Sequence, residues 1–333
     1  MTVGLTTRTI AGDAHAAADA ARCLEDGGLV AFPTETVYGL GADATNADAV
    51  ARLYQAKGRP SFNPLIAHVE SVAAALDIAV FDGLSLRLAN AFWPGPLTLV
   101  LRKTTHCPVA ELATAGLDTI AVRVPAHPTA RDILRTLGKP VVAPSANISG
   151  HVSPTTAAHV ESDLAGRIDL IVDGGPVAVG VESTIISCLG EPMLLRPGGL
   201  PRAAIEAVLG KTLLNVADDA DVSTPHPLAP GMLEQHYAPR TPLRLNATRI
   251  EAGEAVLAFG KSIPAGLDQA SIVLNLSERG DPVEAAANLF GHLRALDAKG
   301  ASGIAAMTVP MNGLGEAIND RLRRAAVPAT SIA

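Results

Sequence analysis

Short apolar runs alternate with amphipathic stretches over the first two thirds of the chain, and this alternation predicts an α/β fold. The apolar runs predict strands at 29–32, 65–69, 97–101, 119–124, 141–143 and 168–172, and a hairpin of 183–188 with 193–196. The amphipathic stretches predict helices at 13–26, 49–56, 84–92, 129–137 and 201–209. Asp13 is the expected N-cap of the first helix, and either Asn46 or Asp48 is that of the second.

The pattern changes at residue 210 and again at residue 241. Residues 210–240 show little periodicity and several prolines, which predict a linker, although Met232 and Tyr237 indicate a loop that packs down or functions. The last part, 241–333, predicts a small three-layer α/β domain. Its predicted strands are 255–259, 272–276 and 303–309, and its predicted helices are 281–296 and 315–325. The first predicted domain is therefore 1–209.

Composition narrows the class of protein. Hydrophobic residues make up 48% of the 333 residues and charged residues 18%, so the chain can fill the cores of folded domains. We find no apolar run near the roughly 18 residues of a membrane span and no signal-peptide pattern at the N-terminus. Cys23, Cys107 and Cys188 are far apart, which favours buried thiols in a reducing compartment over disulfides or zinc ligands. We therefore expect a cytoplasmic protein.

The charge balance argues against a large nucleic-acid footprint. The net charge of −7 falls entirely on residues 1–240, because 241–333 carry nine basic and nine acidic residues. Non-specific affinity for nucleic acid comes from many phosphate contacts, and neither part of the chain is basic overall. A small pocket with local cations is compatible with this balance.

Candidate chemistry concentrates where predicted strands end. The run at 29–32 stops at Pro33 and leads into hydroxyls, a carboxylate and glycines, and ligands of open α/β sheets bind at such ends. Lys57 and Arg59 follow on a Gly/Pro turn, where glycine lets a ligand approach and the cations suit phosphate. Other polar residues at strand ends and turns are Thr34, Thr36, Asn63, His68, Thr119, Arg123, Ser145, Asn147, Ser183 and Arg196. Cations among neutral hydrogen-bonding groups are typical of a site for an anionic ligand.

Single residues leave alternatives open at this level. Arg123 lies inside a predicted strand, either at a solvated edge or directed into a pocket, and a lone histidine such as His68 is more often a core residue than a ligand. Glu35 and Glu182 either contact a metal or an amine or face solvent. Arg321, like Arg323 and Arg324, is expected in solvent near a helix C-terminus, where positive charge is stabilising.

Several reaction classes lack their motifs in this sequence. It has no GxSxG elbow, no HExxH pair, no Walker A run and no GxGxxG dinucleotide fingerprint. Covalent catalysis and P-loop phosphoryl transfer are therefore disfavoured. A reaction assisted by orientation and charge stabilisation is favoured instead.

A series of motifs, in one order, resembles the signature of the YrdC-like family. They are Pro33-Thr34-Glu35-Thr36-Val37-Tyr38-Gly39-Leu40-Gly41, Lys57-Gly58-Arg59-Pro60 with Asn63-Pro64-Leu65, Trp93-Pro94-Gly95-Pro96-Leu97-Thr98, Ala143-Pro144-Ser145-Ala146-Asn147 and Glu182-Ser183-Thr184-Ile185. The pieces Ala229-Pro230-Gly231-Met232 and His236-Tyr237-Ala238-Pro239, followed by a second domain, resemble the longer, two-domain members. The resemblance implies a twisted open mixed sheet flanked by helices, plus a smaller Rossmann-like three-layer α/β domain.

The resemblance also implies an activity. Such enzymes make L-threonylcarbamoyladenylate from L-threonine, bicarbonate or CO2, and ATP with Mg2+, and they release pyrophosphate. The product supplies a separate transferase system that places the threonylcarbamoyl group on the tRNA adenosine next to the anticodon. This implies a cytoplasmic nucleotidyltransferase with at most weak tRNA contact and no membrane contact.

Motif position carries the family's site residues onto this chain. The expected catalytic residues are Lys57, Arg59, Ser145 and Asn147. ATP would contact these four together with Asn63, Thr119, Arg196 and Tyr237. Threonine would be held by Thr36, Thr34, His68, Arg123, Ala143 and Ser183, with Arg123 on its carboxylate. Tyr237 would make 210–240 a lid that keeps water from a labile mixed anhydride.

Two alternative functions use a related domain. A YrdC-like module that only binds RNA is disfavoured by the acidic balance, and tight, salt-sensitive tRNA binding without nucleotide chemistry would favour it. A carbamoyl transferase of the hydrogenase-maturation type would be much longer and would carry zinc-finger cysteines, which three scattered cysteines do not supply.

Overall fold

The computed structural model describes residues 5–215 and 237–327, whose strands form two sheets. The larger sheet contains β1 (Arg8–Ala11), β2 (Val30–Pro33), β3 (Tyr38–Asp43), β4 (Ile66–His68), β5 (Ala79–Val80), β6 (Leu97–Lys103), β7 (Thr119–Arg123), β8 (Val141–Val142), β9 (Leu170–Asp173), β10 (Thr184–Ser187), β11 (Met193–Arg196) and β12 (Leu214–Asn215). Its order is β1-β9-β2-β3-β8-β4-β7-β6-β10-β11-β12, with β5 paired to β6. Parallel and antiparallel pairs both occur, for example β4 with β7 and β6 with β7, so the predicted mixed sheet is confirmed.

Helices cover both faces of the larger sheet. They are α1 (Ala16–Glu25), α2 (Ala47–Lys57), α3 (Val72–Ile78), α4 (Gly83–Phe92), α5 (Pro128–Leu137), α6 (Ala157–Leu164) and α7 (Arg202–Leu209). The core under α1 and α5 lies on one face, whereas the largest core cluster, with α2, α4, α6 and α7, lies on the other. This arrangement leaves the ends of the central strands as the place where polar loops converge.

Of the N-caps predicted for α1 and α2, the one for α2 is confirmed and the one for α1 is wrong. The Asn46 side chain accepts hydrogen bonds from the backbone N–H groups of Asp48 and Ala49, both at 3.1 Å, so Asn46 caps α2. The expected cap Asp13 does not cap α1, which begins after His15. The Asp13 carboxylate instead accepts from the His15 N–H at 2.9 Å, which closes a local turn ahead of the helix.

Strand β3 is an element that the apolar pattern did not predict. Gly39 and Gly41 interrupt its pattern, and glycine is depleted in strands. A Cβ on Gly41 would lie 2.7 Å from the Phe32 ring, and one on Gly39 would lie 3.2 Å from the Ala143 Cβ. Close packing of β2, β3 and the segment after β8 therefore requires glycine at these positions.

The second sheet is parallel and smaller. It contains β13 (Leu243–Arg244), β14 (Ala255–Ala258), β15 (Ile272–Asn275) and β16 (Ile304–Ala306), in the order β13-β16-β14-β15. One face packs on α8 (Pro282–Asp297) and α9 (Gly315–Ala325). The other face is covered by residues near the short 3-10 helix Leu267–Gln269. The predicted helix start at Asp281 is confirmed, because its carboxylate caps α8 at the Val283 N–H.

One apolar cluster joins loops of the first domain to the second domain. Val37, Val152 and Val181 of the first region pack with Tyr237 and with the buried faces of α8 and α9. The predicted lid, 210–240, falls largely on residues outside the described ranges, so its boundaries stay a prediction. None of the helices in residues 5–215 and 237–327 has the length and apolarity needed to cross a membrane.

Candidate active site

A cavity lies at the ends of the central strands of the larger sheet, where the second domain packs against it. Its volume, taken as the space open to water-sized groups, is about 40 Å³. Its lining residues are Thr36, Val37, Arg59, Ile66, His68, Arg123, Ala143, Pro144, Ser145, Glu182, Ser183, Arg196 and Tyr237. These lining residues include three arginines and a single carboxylate, so the wall carries excess positive charge.

Arg123 is held in a fixed position at the end of β7. Its Nη2 donates to Glu35 Oε1 at 2.6 Å and to Thr36 Oγ1 at 3.0 Å, and its Nε donates to the Gly95 carbonyl at 3.3 Å. Its Nη1 makes no hydrogen bond within the described part of the chain. Arg123 therefore points into the pocket and does not lie at a solvated edge. Its Nη1 group remains available to a ligand such as a carboxylate.

Glu35 and two threonines complete this arrangement. The Glu35 carboxylate also accepts from the Ala126 N–H at 2.9 Å. Burial would raise its pKa, but the adjacent Arg123 guanidinium outweighs burial and lowers it. Thr36 Oγ1 lies 2.8 Å from Thr34 Oγ1, and Thr34 donates its proton to the Val37 carbonyl at 2.7 Å. Glu35 thus faces Arg123 rather than solvent.

His68 is a neutral member of the wall. It lies opposite Arg123 in the parallel pair of β4 and β7. Its Nδ1 lies 3.2 Å from the Ile66 carbonyl, which can only accept, so Nδ1 carries the proton. Burial and the charge of Arg123 lower the pKa of His68 to about 3, which keeps the ring uncharged at neutral pH.

Arg196 and Ser183 are joined across the hairpin of β10 and β11, which confirms the predicted pairing. Arg196 donates to the Ser183 carbonyl from Nη2 at 2.8 Å and from Nε at 3.2 Å, and to Ser183 Oγ at 3.2 Å. Ser183 Oγ also lies 2.7 Å from Thr98 Oγ1. The guanidinium therefore fixes the serine on the cavity wall.

Lys57 supports the cavity from behind. It is 1% exposed, and its ammonium group donates to the carbonyls of Ser145 and Asn147 at 2.6 and 2.5 Å. Burial, and next the charge of Arg59, lower its pKa well below the usual value. Lys57 does not line the cavity, so its contacts indicate that it positions the loop carrying Ser145.

Arg59 reaches the cavity from the turn after α2. Its Nε donates to the Asn63 carbonyl at 3.3 Å and its Nη2 to the Pro64 carbonyl at 3.1 Å. Burial lowers the pKa of Arg59 to about 10, so it stays charged at neutral pH. The amide oxygens Oδ1 of Asn63 and Asn147 are buried and find no partner in the described residues. Buried acceptors are normally paired with a donor, so both oxygens have capacity for one further hydrogen bond.

Glu182 and Arg321 differ most from the sequence-based expectation. Arg321 is fully buried, not solvated, and its Nε donates to Glu182 Oε2 at 2.7 Å. Glu182 Oε1 accepts from Ser153 Oγ at 2.5 Å. Burial would raise the pKa of Glu182, but the charges of Arg321 and Arg196 lower it to about 2. Of its neighbours, Arg323 is exposed and Arg324 is half-buried.

Tyr237 lines the cavity but is held by the second domain. Its ring stacks on Phe290 of α8, with centroids 5.5 Å apart, and Arg321 lies 5.0 Å from the ring centroid on α9. Its φ of +65° is in the left-handed region, which is uncommon for a tyrosine and is retained only where packing enforces it. Within the described ranges, Tyr237 is the part of the predicted lid that reaches the cavity.

The cavity therefore brings together most, but not all, of the expected site residues. Arg59, Thr36, His68, Arg123, Ala143, Ser145, Ser183, Arg196 and Tyr237 line it. Five expected residues do not line it: Lys57, Asn63 and Asn147 lie behind its wall, Thr34 hydrogen-bonds within its own turn, and Thr119 starts β7, whereas Arg123 ends it. The roles predicted for all these residues stay predictions.

Helical spacing contained a signal for the two buried cations. Arg321 lies four residues after Ala317 and four before Ala325, on the same buried stripe of α9 as Leu322. Lys57 likewise follows Leu53 by four residues on the buried side of α2. A lone cation on an apolar helix face requires a buried partner. The wall residues Val37, Ile66 and Pro144 were not predicted.

Two family models match the chain. The Sua5/YciO/YrdC model, described as telomere recombination, matches residues 22–198. The Sua5 C-terminal model, described as the C-terminal domain of threonylcarbamoyl-AMP synthase, matches residues 200–327.

Individual relatives match over nearly the full length. The threonylcarbamoyl-AMP synthase of Bacillus subtilis (strain 168) is 43% identical over 322 residues, which are 93% of this chain and 92% of the relative. That of Pyrococcus abyssi (strain GE5 / Orsay) is 45% identical over 320 residues, 92% of each chain. The crystal structure of P. abyssi Sua5 complexed with L-threonine has a TM-score of 0.86 at 39% identity, covering 96% of this chain and 97% of that one.

The fold and the cavity define the class: a two-domain α/β protein with a cationic cavity at the ends of its central strands. The long matches to named relatives then place the chain within that class. The chain belongs to the threonylcarbamoyl-AMP synthase family. The family resemblance and the fold class drawn from the motifs are thereby confirmed.

Proposed function

We propose that the cavity is where this chain makes L-threonylcarbamoyladenylate from L-threonine, bicarbonate or CO2, and ATP, with release of pyrophosphate. The observation that carries the proposal is the wall itself, in which three arginines and neutral hydroxyls surround one neutralised carboxylate. Two anions that repel each other must meet in this reaction. A cationic cavity offsets that repulsion.

The chemistry sets clear requirements for the wall. The unprotonated threonine amine forms a bond to CO2 and gives a carbamate, with one proton released. A carbamate oxygen then attacks the α-phosphorus of ATP as the bond to pyrophosphate breaks. Charge accumulates on the departing pyrophosphate, and arginines next to it stabilise that charge.

Threonine fits the Arg123 side of the cavity. The unused Nη1 of Arg123 suits the carboxylate, since Glu35 and Thr36 already fix the other amine. Ser183 and neutral His68 supply hydrogen-bonding groups without a competing positive charge on the substrate amine. The P. abyssi relative was crystallised with L-threonine, which supports threonine as the amino acid.

We place ATP near Arg59, Ser145 and Arg196. Arg59 and Arg196 are held by backbone carbonyls, so their guanidinium groups are already oriented for phosphate. Tyr237 covers the site from the second domain.

We expect Mg2+ to enter as part of the ATP complex. The described residues include no group of three or more His, Cys, Asp or Glu arranged to hold a metal. The lining carboxylate, Glu182, already accepts hydrogen bonds on both oxygens. Mg2+ commonly binds substrate phosphates and keeps several waters, which requires no dedicated protein cage.

The direct test is to incubate the protein with MgATP, L-threonine and bicarbonate and to measure pyrophosphate. We expect release that depends on both threonine and bicarbonate, with L-serine slower by roughly 10- to 200-fold because it lacks one methyl group. Pyrophosphate release independent of threonine, or none at all, would contradict the proposal. Transfer of the product to tRNA, a weak tRNA contact and a cytoplasmic location remain predictions.

A further inference from the structure

We propose that Arg321 of the second domain is a positioning residue for the reaction, because it holds Tyr237 in the wall of the cavity. This inference rests on the proposed function and adds a role for the second domain in it. Arg321 does not line the cavity, so it acts through the residues that it contacts.

Arg321 is buried between two carboxylates, which hold its side chain in one position. Its side chain is 0% exposed, and it makes ion pairs with Glu182 at 2.7 Å and with Asp320 at 2.6 Å. Its Nη2 makes no hydrogen bond in the described residues. Such a buried cation is costly to desolvate, and stability alone is often served as well by an apolar residue. A role at the cavity explains why a cation lies there.

The contacts of Arg321 join the two domains at the cavity. On one side it pairs with Glu182, the carboxylate of the cavity wall. On another side its guanidinium lies 5.0 Å from the centroid of the Tyr237 ring, within the range of a cation–π contact. Phe290 stacks on the same ring. Tyr237 is therefore held by two helices, α9 and α8, in a backbone conformation that tyrosine rarely adopts.

A purely structural ion pair would make a different prediction. In that case, loss of Arg321 would destabilise the protein through the unpaired charge of Glu182 but would leave the kcat/KM for ATP of the folded protein near wild type. If Arg321 positions Tyr237, the kcat/KM for ATP falls even in a variant that is folded. The Tyr237 ring would then lose its contact with α9, and ATP would lose an ordered cover.

The experiment is a double-mutant cycle on pyrophosphate release with Arg321→Met, Tyr237→Ala and the double variant. We expect each single variant to lower kcat/KM for ATP about 100-fold, the size of effect that a misplaced site residue produces. The kcat/KM of the double variant should lie within about twofold of that of Tyr237→Ala alone. Both changes remove the same feature, a Tyr237 ring held in the cavity wall. The affinity for L-threonine without ATP, measured by calorimetry, should stay within about twofold of wild type.

Control variants distinguish a failure of this inference from a failure of the proposed function. Arg323→Met, on the exposed side of the same helix, should match wild type. If Arg321→Met does not fold, Arg321→Lys, which keeps the charge beside Glu182 but not the planar guanidinium beside Tyr237, replaces it and should still be slow. Multiplicative losses in the cycle, or wild-type activity in a folded Arg321 variant, would overturn this inference alone. A wild-type protein without threonine-dependent pyrophosphate release would overturn the proposed function.

Discussion

At the residue scale, the cavity depends on arginines whose orientation is fixed before a ligand arrives. Arg123 uses Nε and Nη2 on Gly95, Glu35 and Thr36, which leaves Nη1. Arg59 and Arg196 are held by backbone carbonyls in the same way. A planar guanidinium supports this division of donors, whereas a lysine ammonium is a single point charge.

Arg123→Lys tests this division directly. Lysine keeps the positive charge but cannot hold Glu35 and a ligand carboxylate in one plane, so the KM for L-threonine should rise roughly 10- to 100-fold. The KM for ATP should change little. Steady-state pyrophosphate release measures both constants. Arg102→Lys on β6, whose side chain is 66% exposed, is the matched control. An unchanged threonine KM in Arg123→Lys would contradict the role of Arg123.

Lys57→Met tests a positioning role. Methionine keeps most of the side-chain volume but leaves the carbonyls of Ser145 and Asn147 without their donor, which should cost about 2–4 kcal/mol of unfolding free energy. Turnover should fall with it because Ser145 loses its support. Urea unfolding and pyrophosphate release measure the two effects. Lys211→Met, at the surface, should change neither. Wild-type stability together with wild-type turnover would refute the assignment.

At the element scale, the second domain attaches to the first through helix faces that carry buried charge. Arg321 on α9 reaches Glu182, and Arg294 on α8 reaches Asp163 on α6 at 2.8 Å. Arg294 also donates to the Val152 carbonyl. The apolar contacts of Val152 and Val181 lie in the same cluster. Ion pairs within an apolar contact fix its register, since a slip would leave charges buried and unpaired.

Arg294→Met should weaken this attachment. Its partner Asp163 is 9% exposed and would lose its main counter-charge, which should lower the unfolding free energy by about 2–4 kcal/mol. Arg294→Met/Asp163→Asn should recover part of the loss. Urea denaturation followed by circular dichroism measures the change. Arg279→Met, at a side chain 71% exposed, is the control. Equal stability of Arg294→Met and Arg279→Met would be inconsistent with a buried pair.

At the scale of the whole molecule, an acidic chain carries a cationic cavity. The net charge is −7, yet the cavity wall contains three arginines and a carboxylate that is already paired. Net charge therefore describes the outer surface and not the site. The same separation disfavours a large nucleic-acid surface and allows a binding site for small anions.

Acid should destabilise the fold through the buried carboxylate. The pKa of Glu182 is about 2 in the folded protein, against a usual value of 4.5. Between pH 4.5 and pH 2 the unfolded chain therefore binds a proton at this residue that the folded protein does not bind. Its contribution is complete above pH 4.5 and is lost as the pH falls towards 2, by roughly 3 kcal/mol in total. Unfolding of Glu182→Gln/Arg321→Met measured across this range should depend less on pH than wild type.

The control for the acid prediction is an exposed carboxylate. Glu191 has a side chain 70% exposed, and Glu191→Gln should follow the wild-type profile. A steep acid transition that is identical in wild type and in Glu182→Gln/Arg321→Met would assign the acid sensitivity to other groups.

The features that could be predicted from the sequence were those that depend on neighbouring residues, such as strand and helix limits and helix caps. Strand β11 and helix α9 have the predicted limits, and Asn46 caps α2, because periodicity and capping are properties of neighbouring residues. Strand β3 was not predicted, since its glycines are explained only by the packing of Phe32 and Ala143. Arg321 was expected in solvent because the partner that allows its burial lies 139 residues away in the chain.

Residue type and spacing along the chain are enough to predict the α/β class, the ordered motifs and the polar residues from which most of the cavity wall is built. They do not predict which of these residues line the cavity, that Lys57 supports it from behind, or that the second domain reaches it through Arg321 and Tyr237. Those features depend on the folded arrangement. The physical reason is that desolvation and pairing of a charge depend on groups brought together from distant parts of the chain, and local pattern contains no record of them.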